Sequence, residues 1–285
     1  MSIQTIGVVG AGSMGAGIAN LAAMNGFDVI LRDIEDRFLD KALSRIDRFM
    51  SKSVERGKLT EEQKQAALSH IKTTKNLEDF KEADVVIEAV IEDMELKKEV
   101  FSQLDEIVGE DVILATNTSS MSITEIASAT KRPERVAGMH FFNPAQLMKL
   151  VEVVRGYGTS DETVEELKAL SGRLNKEVVE VKKDSPGFIV NRIMIPQFIE
   201  AIRLLEEGVA TAEDIDKAVK FGLNYPMGPF ELQDYAGVDI GFYVMEYFEK
   251  EFNDARFAPP LLMKQMMRAG RHGKKMGAGF YNYDK

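Results

Sequence analysis

The sequence predicts an α/β fold, a doubly wound sheet domain over residues 1–185 followed by an all-helical domain over residues 186–285. Three observations carry this. Short β-branched runs alternate with helical stretches through residues 1–155, the pattern of a largely parallel sheet with helices on both faces. A glycine-rich turn, Gly10-Ala11-Gly12-Ser13-Met14-Gly15, joins the first apolar run to the first helical one. After the breaker Asp184-Ser185-Pro186-Gly187 the β-alternation stops and the remainder reads as helix. At 285 residues, 45% hydrophobic and 29% charged, the chain can bury two cores.

In chain order, a strand is expected from Ile3 to Val9, then a helix from the glycine turn to Asn25-Gly26, then a strand from Asp28 to Arg32. A long amphipathic helix follows from Arg37 to Arg56, and Thr60-Glu61-Glu62-Gln63 has the capping-box pattern that opens another. Further strands are expected at Asp84 to Ala89, Val112 to Thr116 and Val136 to Phe141, with Leu150 to Val154 and Val178 to Val181 extending the sheet. In the second domain an apolar period runs from Gly187 to Gly208 and is interrupted by Pro196, whose missing amide predicts a kink. Thr211-Ala212-Glu213-Asp214 opens a helix ending near Gly222, and helices follow at Val238 to Phe252 and Leu261 to Ala269.

Composition narrows the function. No apolar run approaches the ~18 residues of a membrane span. A first strand beginning at Ile3 leaves no room for a signal peptide or an Arg-rich presequence, so a cytoplasmic protein is expected. With no cysteine there is no disulfide and no thiol nucleophile, and three histidines without metal-pair spacing predict no metal site. The 36 basic residues against 46 acidic give a net charge of −10, which argues against nucleic acid as a partner. An anionic substrate would therefore need a local basic exception.

The glycine turn has the Rossmann-type dinucleotide pattern. Gly10 permits the tight turn, Gly12 lets the backbone approach a pyrophosphate, Gly15 allows close helix packing, and the helix N-terminus at Ser13 and Met14 supplies amides and positive dipole. Asp33, at the end of the next strand, stands where a carboxylate bonds the adenine ribose hydroxyls. It would repel a 2′-phosphate and so favours NAD over NADP, although Arg32 beside it could turn toward that phosphate.

Other polar groups follow strand ends, where open α/β sheets bind ligands: Glu92, Asn117-Thr118-Ser119-Ser120 and His140. Capping of the next helix is the alternative for the Asn117 to Ser120 segment. Glu152 lies among the aliphatics of Leu150-Val151-Glu152-Val153-Val154, and a carboxylate buried there needs a partner; His140, across the Phe141-Phe142-Asn143-Pro144 break, would serve. An imidazole held by a buried carboxylate suits general acid/base work on an alcohol or ketone. A solvent-facing Glu152 with His140 bonded to backbone is the alternative. Lys41, Arg45, Arg48, Lys52 and Arg56 recur at helical spacing on one face of the long helix, either as an anion site or as an ordinary solvated stripe.

These motifs together resemble the short-chain L-3-hydroxyacyl-CoA dehydrogenases, most closely the bacterial 3-hydroxybutyryl-CoA members. The resemblance also rests on His-Phe-Phe-Asn-Pro at 140–144, Lys-Leu-Val-Glu-Val at 149–153, Pro-Gly-Phe-Ile-Val-Asn-Arg at 186–192, Tyr-Pro-Met-Gly-Pro at 225–229 and Gly-Ala-Gly-Phe-Tyr at 277–281. It implies interconversion of (S)-3-hydroxybutyryl-CoA and acetoacetyl-CoA with NAD. It further implies His140 as acid/base oriented by Glu152, Ser119 and Asn191 near the reacting oxygen, and Glu92, Lys97, Asn117, Ser119 and Asn143 among the cofactor contacts. Lys52 and Arg56 match positions used for coenzyme A phosphates, and the C-terminal helices would form a homodimer, giving Met194, Met227 and Met245 a packing role. Rival readings are a relative acting on a free sugar acid and a non-catalytic dinucleotide sensor.

Overall fold

A computed structural model describes residues 3–283. The chain divides into two units, Met1–Phe188 and Ile189–Lys285, with the boundary just past the 184–187 breaker.

In the first unit β1 (Thr5–Val9), α1 (Ser13–Met24) and β2 (Asp28–Arg32) are followed by α2 (Asp36–Glu55), α3 (Glu61–Ser69) and β3 (Ile71–Thr74). Then come β4 (Val85–Glu88), α4 (Met94–Ile107), β5 (Ile113–Thr116), α5 (Ile123–Ala127), β6 (Val136–Phe141), β7 (Leu150–Arg155), α6 (Asp161–Arg173) and β8 (Glu177–Val181). The capping box at Thr60 forms as expected, with Thr60 Oγ1 accepting from the Gln63 amide and Gln63 Oε1 from the Thr60 amide. Strand β3 is an addition to the expected set. It is a short edge strand whose residues Ile71-Lys72-Thr73-Thr74 lack an apolar run to announce it.

The strands form one sheet in the order β3-β2-β1-β4-β5-β6-β7-β8, parallel except for the antiparallel β6/β7 pair. The exception has a local cause. Residues 142–149 contain no crossover helix, so the chain turns back beside β6 instead of returning over the sheet face. The resulting register places His140 directly opposite Glu152.

Strand alternation sorts the core into two layers. Val8, Leu31, Ile87, Ala115 and Met139 belong to one layer, and Val9, Ile30, Val86, Leu114 and Val136 to the other, the latter packed with Phe101, Leu104, Ile123 and Ile126 of α4 and α5. By the same parity Glu88, Thr116, His140 and Glu152 lie on the α4/α5 face of the sheet.

The second unit is built from helices, α7 (Val190–Glu206), α8 (Ala212–Gly222), α9 (Pro229–Ala236), α10 (Val238–Phe252) and α11 (Leu261–Arg268), and departs from the expected all-helical reading only in isolated β-bridges from Ala278 to Gly273 and Asn282 among the described residues. Helix α7 continues through Pro196 as one element, and α9, opened by a proline at its first position, is one that the apolar spacing does not reveal. Its core gathers Ile195, Ile199, Ile202, Phe230, Met245, Phe248 and Met263. Met245 is fully buried there, which makes it a residue of the unit's own core rather than of an outer face, whereas Met194 is partly buried against the same cluster.

Candidate active site

The β1–α1–β2 segment has the geometry of a pyrophosphate cradle. Gly10 has φ of +100°, and a Cβ there would lie 2.6 Å from the Ala89 carbonyl oxygen; one on Gly15 would lie 1.7 Å from the Gly10 oxygen. A Cβ on Gly12 would meet no atom within 4 Å, so this glycine leaves room rather than relieving a clash. Gly12 is also the N-cap of α1 and brings no side-chain cap, and no acidic residue sits in the first turn, Ser13 and Met14 included. The amides that begin α1 are thus available to an anion, as the dinucleotide reading requires. Asp33 is tied into the cradle itself: Oδ2 accepts from the Ala11 amide and Oδ1 from the Ile34 amide, each at 2.7 Å. Arg32 donates from Nε to the Lys75 carbonyl.

At the carboxyl edge, Val9, Glu88, Thr116 and Gly138 lie in register across β1, β4, β5 and β6. Glu88 is completely buried, and its Oε1 accepts from Lys97 Nζ at 2.8 Å and from the Val90 amide at 2.7 Å, while Oε2 accepts from Thr116 Oγ1 at 2.7 Å. Lys97, on the first turns of α4 and only 1% exposed, also lies 3.3 Å from Glu92 Oε2. Glu92 in turn accepts from Thr118 Oγ1 at 2.9 Å, from the Ser119 amide at 2.8 Å and from Ser119 Oγ at 3.2 Å. The structure therefore joins three of the expected residues, Glu92, Lys97 and Ser119, into one network. It adds Glu88 and Thr116, to which the sequence assigned no role, and Thr118 of the expected Asn117 to Ser120 segment. For Glu88 the signal was present: a carboxylate ending the apolar run Val85-Val86-Ile87 poses the same question as Glu152.

His140 donates from Nδ1 to Glu152 Oε2 at 2.7 Å, with both side chains buried. The pair follows directly from the β6/β7 register. A carboxylate that receives Nδ1–H fixes the tautomer, stabilises the imidazolium and leaves Nε2 as the nitrogen able to act on a substrate. Phe142 and Phe188 pack against the ring, with centroids at 4.5 and 5.6 Å.

The remaining expected residues divide. Asn117 Oδ1 accepts from the Phe141 amide and so secures the end of β6 beside His140. Asn143 is exposed, and Lys176 Nζ steadies the loop beyond it by donating to the Ala145 and Met148 carbonyls at 2.7 Å. Lys52 lies exposed near the end of α2 and Arg56 caps it. Asn191 stands on the first turn of α7 in the second unit. Among the described residues no group of three or more His, Cys, Asp or Glu side chains could hold a metal ion, and no helix is long and apolar enough to cross a membrane.

A dinucleotide cradle on one half of a doubly wound sheet, and a buried imidazole–carboxylate pair on the other, define a nicotinamide-linked oxidoreductase. Comparison with known proteins makes this specific: residues 5–185 match the family model for the NAD binding domain of 3-hydroxyacyl-CoA dehydrogenase, and residues 187–283 match the model for its C-terminal domain. The chain belongs to the 3-hydroxyacyl-CoA dehydrogenase family. It is 48% identical to 3-hydroxybutyryl-CoA dehydrogenase of Clostridioides difficile, over 98% of this chain and 99% of that one. It is 45% identical to 3-hydroxyadipyl-CoA dehydrogenase of Escherichia coli K12, over 99% of this chain and 60% of that one. The crystal structure of (S)-3-hydroxybutyryl-CoA dehydrogenase from Ralstonia eutropha covers 100% of both chains with a TM-score of 0.96 and 46% identity.

Proposed function

We propose that this dehydrogenase interconverts (S)-3-hydroxybutyryl-CoA and acetoacetyl-CoA, with His140 as the general acid/base and Glu152 as its orienting partner. The observation that carries the reading is the 2.7 Å contact between His140 and a fully buried Glu152. Bound NAD supplies the hydride acceptor for C3. In oxidation His140 Nε2 takes the 3-hydroxyl proton and Glu152 stabilises the imidazolium that results; in reduction the imidazolium returns the proton to the oxygen at C3. Ser119, held by Glu92, and Asn191 position that oxygen. Asp33, beside the glycine turn, is the group that disfavours a 2′-phosphate and so selects NAD. Lys52 and Arg56 hold the coenzyme A phosphates, and the helices of the second unit pair two copies into a homodimer.

The test is NADH oxidation with acetoacetyl-CoA, 3-oxoacyl-CoA thioesters of increasing length, 3-oxoadipyl-CoA and free 3-oxo acids. The highest kcat/KM is expected for acetoacetyl-CoA. Faster turnover of a longer or terminally carboxylated chain would move the substrate within the family, and preference for a free acid would overturn the thioester reading.

A further inference from the structure

Glu88 is absent from the proposed chemistry, yet its surroundings are unusual. A fully buried carboxylate and a fully buried ammonium, Lys97, face each other at 2.8 Å, with Thr116 Oγ1 and the Val90 amide completing the set of donors to Glu88. Desolvating both ions costs about as much as their attraction returns, so apolar residues of similar volume would serve the core as well or better. Stability alone does not account for the pair.

Its position does. Glu88 ends β4 and Thr116 ends β5, paired in register at the carboxyl edge, and Lys97 reaches from Glu88 to Glu92, which bonds the Ser119 amide and hydroxyl. Two carboxylates and one ammonium leave the Glu88–Lys97–Glu92 trio with one surplus negative charge. With the adenosine half of the dinucleotide proposed at β1–α1–β2, the nicotinamide half would extend toward the carboxyl ends of β4, β5 and β6, where this charge sits. The oxidised nicotinamide ring is a cation and the reduced ring is neutral.

We propose that Glu88 is a positioning residue that acts through Lys97 on Glu92 and Ser119, and that the trio's surplus negative charge favours oxidised over reduced nicotinamide. This rests on the proposed NAD orientation and adds to it a residue and a redox bias.

The test measures NAD+ and NADH dissociation constants by calorimetry, with thermal melting, for the intact protein and three variants. Glu88→Gln and Glu92→Gln each reduce the surplus charge to zero, and each should weaken NAD+ relative to NADH by roughly three- to thirty-fold for a unit charge near the ring in a partly screened site. Glu88→Gln/Lys97→Met leaves Glu92 alone with the surplus charge, so the affinity ratio should return to within about threefold of wild type. Glu88→Gln should also lower kcat with acetoacetyl-CoA more than it raises KM, because Ser119 loses its support. Equal weakening of both cofactors in Glu88→Gln would reduce Glu88 to a structural residue and overturn the proposal. Where Glu88→Gln does not fold, the half-exposed Glu92→Gln gives the same arithmetic, and an unmoved ratio there overturns it equally. Failure of the wild-type protein to bind either cofactor would instead remove the underlying NAD reading.

Discussion

Glu152 stands among valines at 0% exposure, where an unpartnered carboxylate would have to neutralise or destabilise the sheet. The imidazole opposite resolves that conflict and is itself made chemically useful. His140→Gln is expected to abolish turnover and leave NADH affinity nearly intact, because the ring acts on the substrate oxygen and not on the dinucleotide. Glu152→Gln should lower kcat by roughly 10²-fold or more, since both orientation and imidazolium stabilisation go. Steady-state kinetics with acetoacetyl-CoA, alongside fluorescence titration of NADH, reads both; near-wild-type rates in the two variants would remove the pair from the mechanism. This pair was legible in the sequence because Glu152 interrupts an aliphatic run. The ties of Glu88 were not, because Lys97 and Thr116 reach it from separate elements.

Helix α2 buries Leu39, Ala42, Ile46 and Met50 and leaves Lys41, Arg48, Lys52 and the capping Arg56 exposed, so the basic stripe forms on the solvent side. Replacing Lys52 and Arg56 together by Ala should raise KM for acetoacetyl-CoA by about 5- to 100-fold with little change in kcat, on ~0.5 to 1.5 kcal/mol for each exposed ionic contact. The effect should shrink in high salt, and a truncated thioester lacking the adenosine phosphates should be insensitive to it. Equal losses with both substrates would make the stripe a structural face. A second element, β8, is pinned by charge: Glu180 accepts from Arg155 Nε of β7 at 2.7 Å and from Lys168 Nζ of α6 at 2.5 Å. Lys168 first, then Arg155, pull the Glu180 carboxyl down from 4.5 to about 2. A carboxyl lowered in the folded state gives its stabilisation in full above the unfolded value and loses it as the pH falls toward about 2. After solvent screening it is worth ~1 kcal/mol. Glu180→Gln should therefore melt about 2 to 4 °C lower at neutral pH. That gap should close near pH 2, as followed by circular dichroism. A gap unchanged with pH would assign β8 to packing alone.

For the molecule as a whole, the second unit keeps large apolar side chains in the open, including Phe221 at 84% and Ile193, Leu223, Ile240 and Tyr243 each above half exposure. Exposed apolar side chains of this size are available to an interface between two copies, which the proposed homodimer would cover. Light scattering should accordingly return a mass near twice 31.8 kDa across micromolar concentrations, and a monomer mass would remove the homodimer from the proposal.

Local sequence was enough to specify most of the elements, though neither β3 nor α9, together with the glycine turn, the change from sheet to helix past the 184–187 breaker and the chemical identity of the cofactor cradle. Each of these depends on interactions within a few residues: strand alternation, helical spacing, a cap, a backbone that only glycine adopts. Which strand ends meet was settled by the assembled sheet. The β6/β7 reversal put His140 opposite Glu152, the β4/β5 register put Glu88 beside Thr116, and the packing of α4 on that face brought Lys97 between Glu88 and Glu92. Those contacts join residues distant in the chain, and no local preference encodes them. They exist because burying two apolar layers forces the strands into one order and register, and the polar side chains at the carboxyl edge are carried along with it.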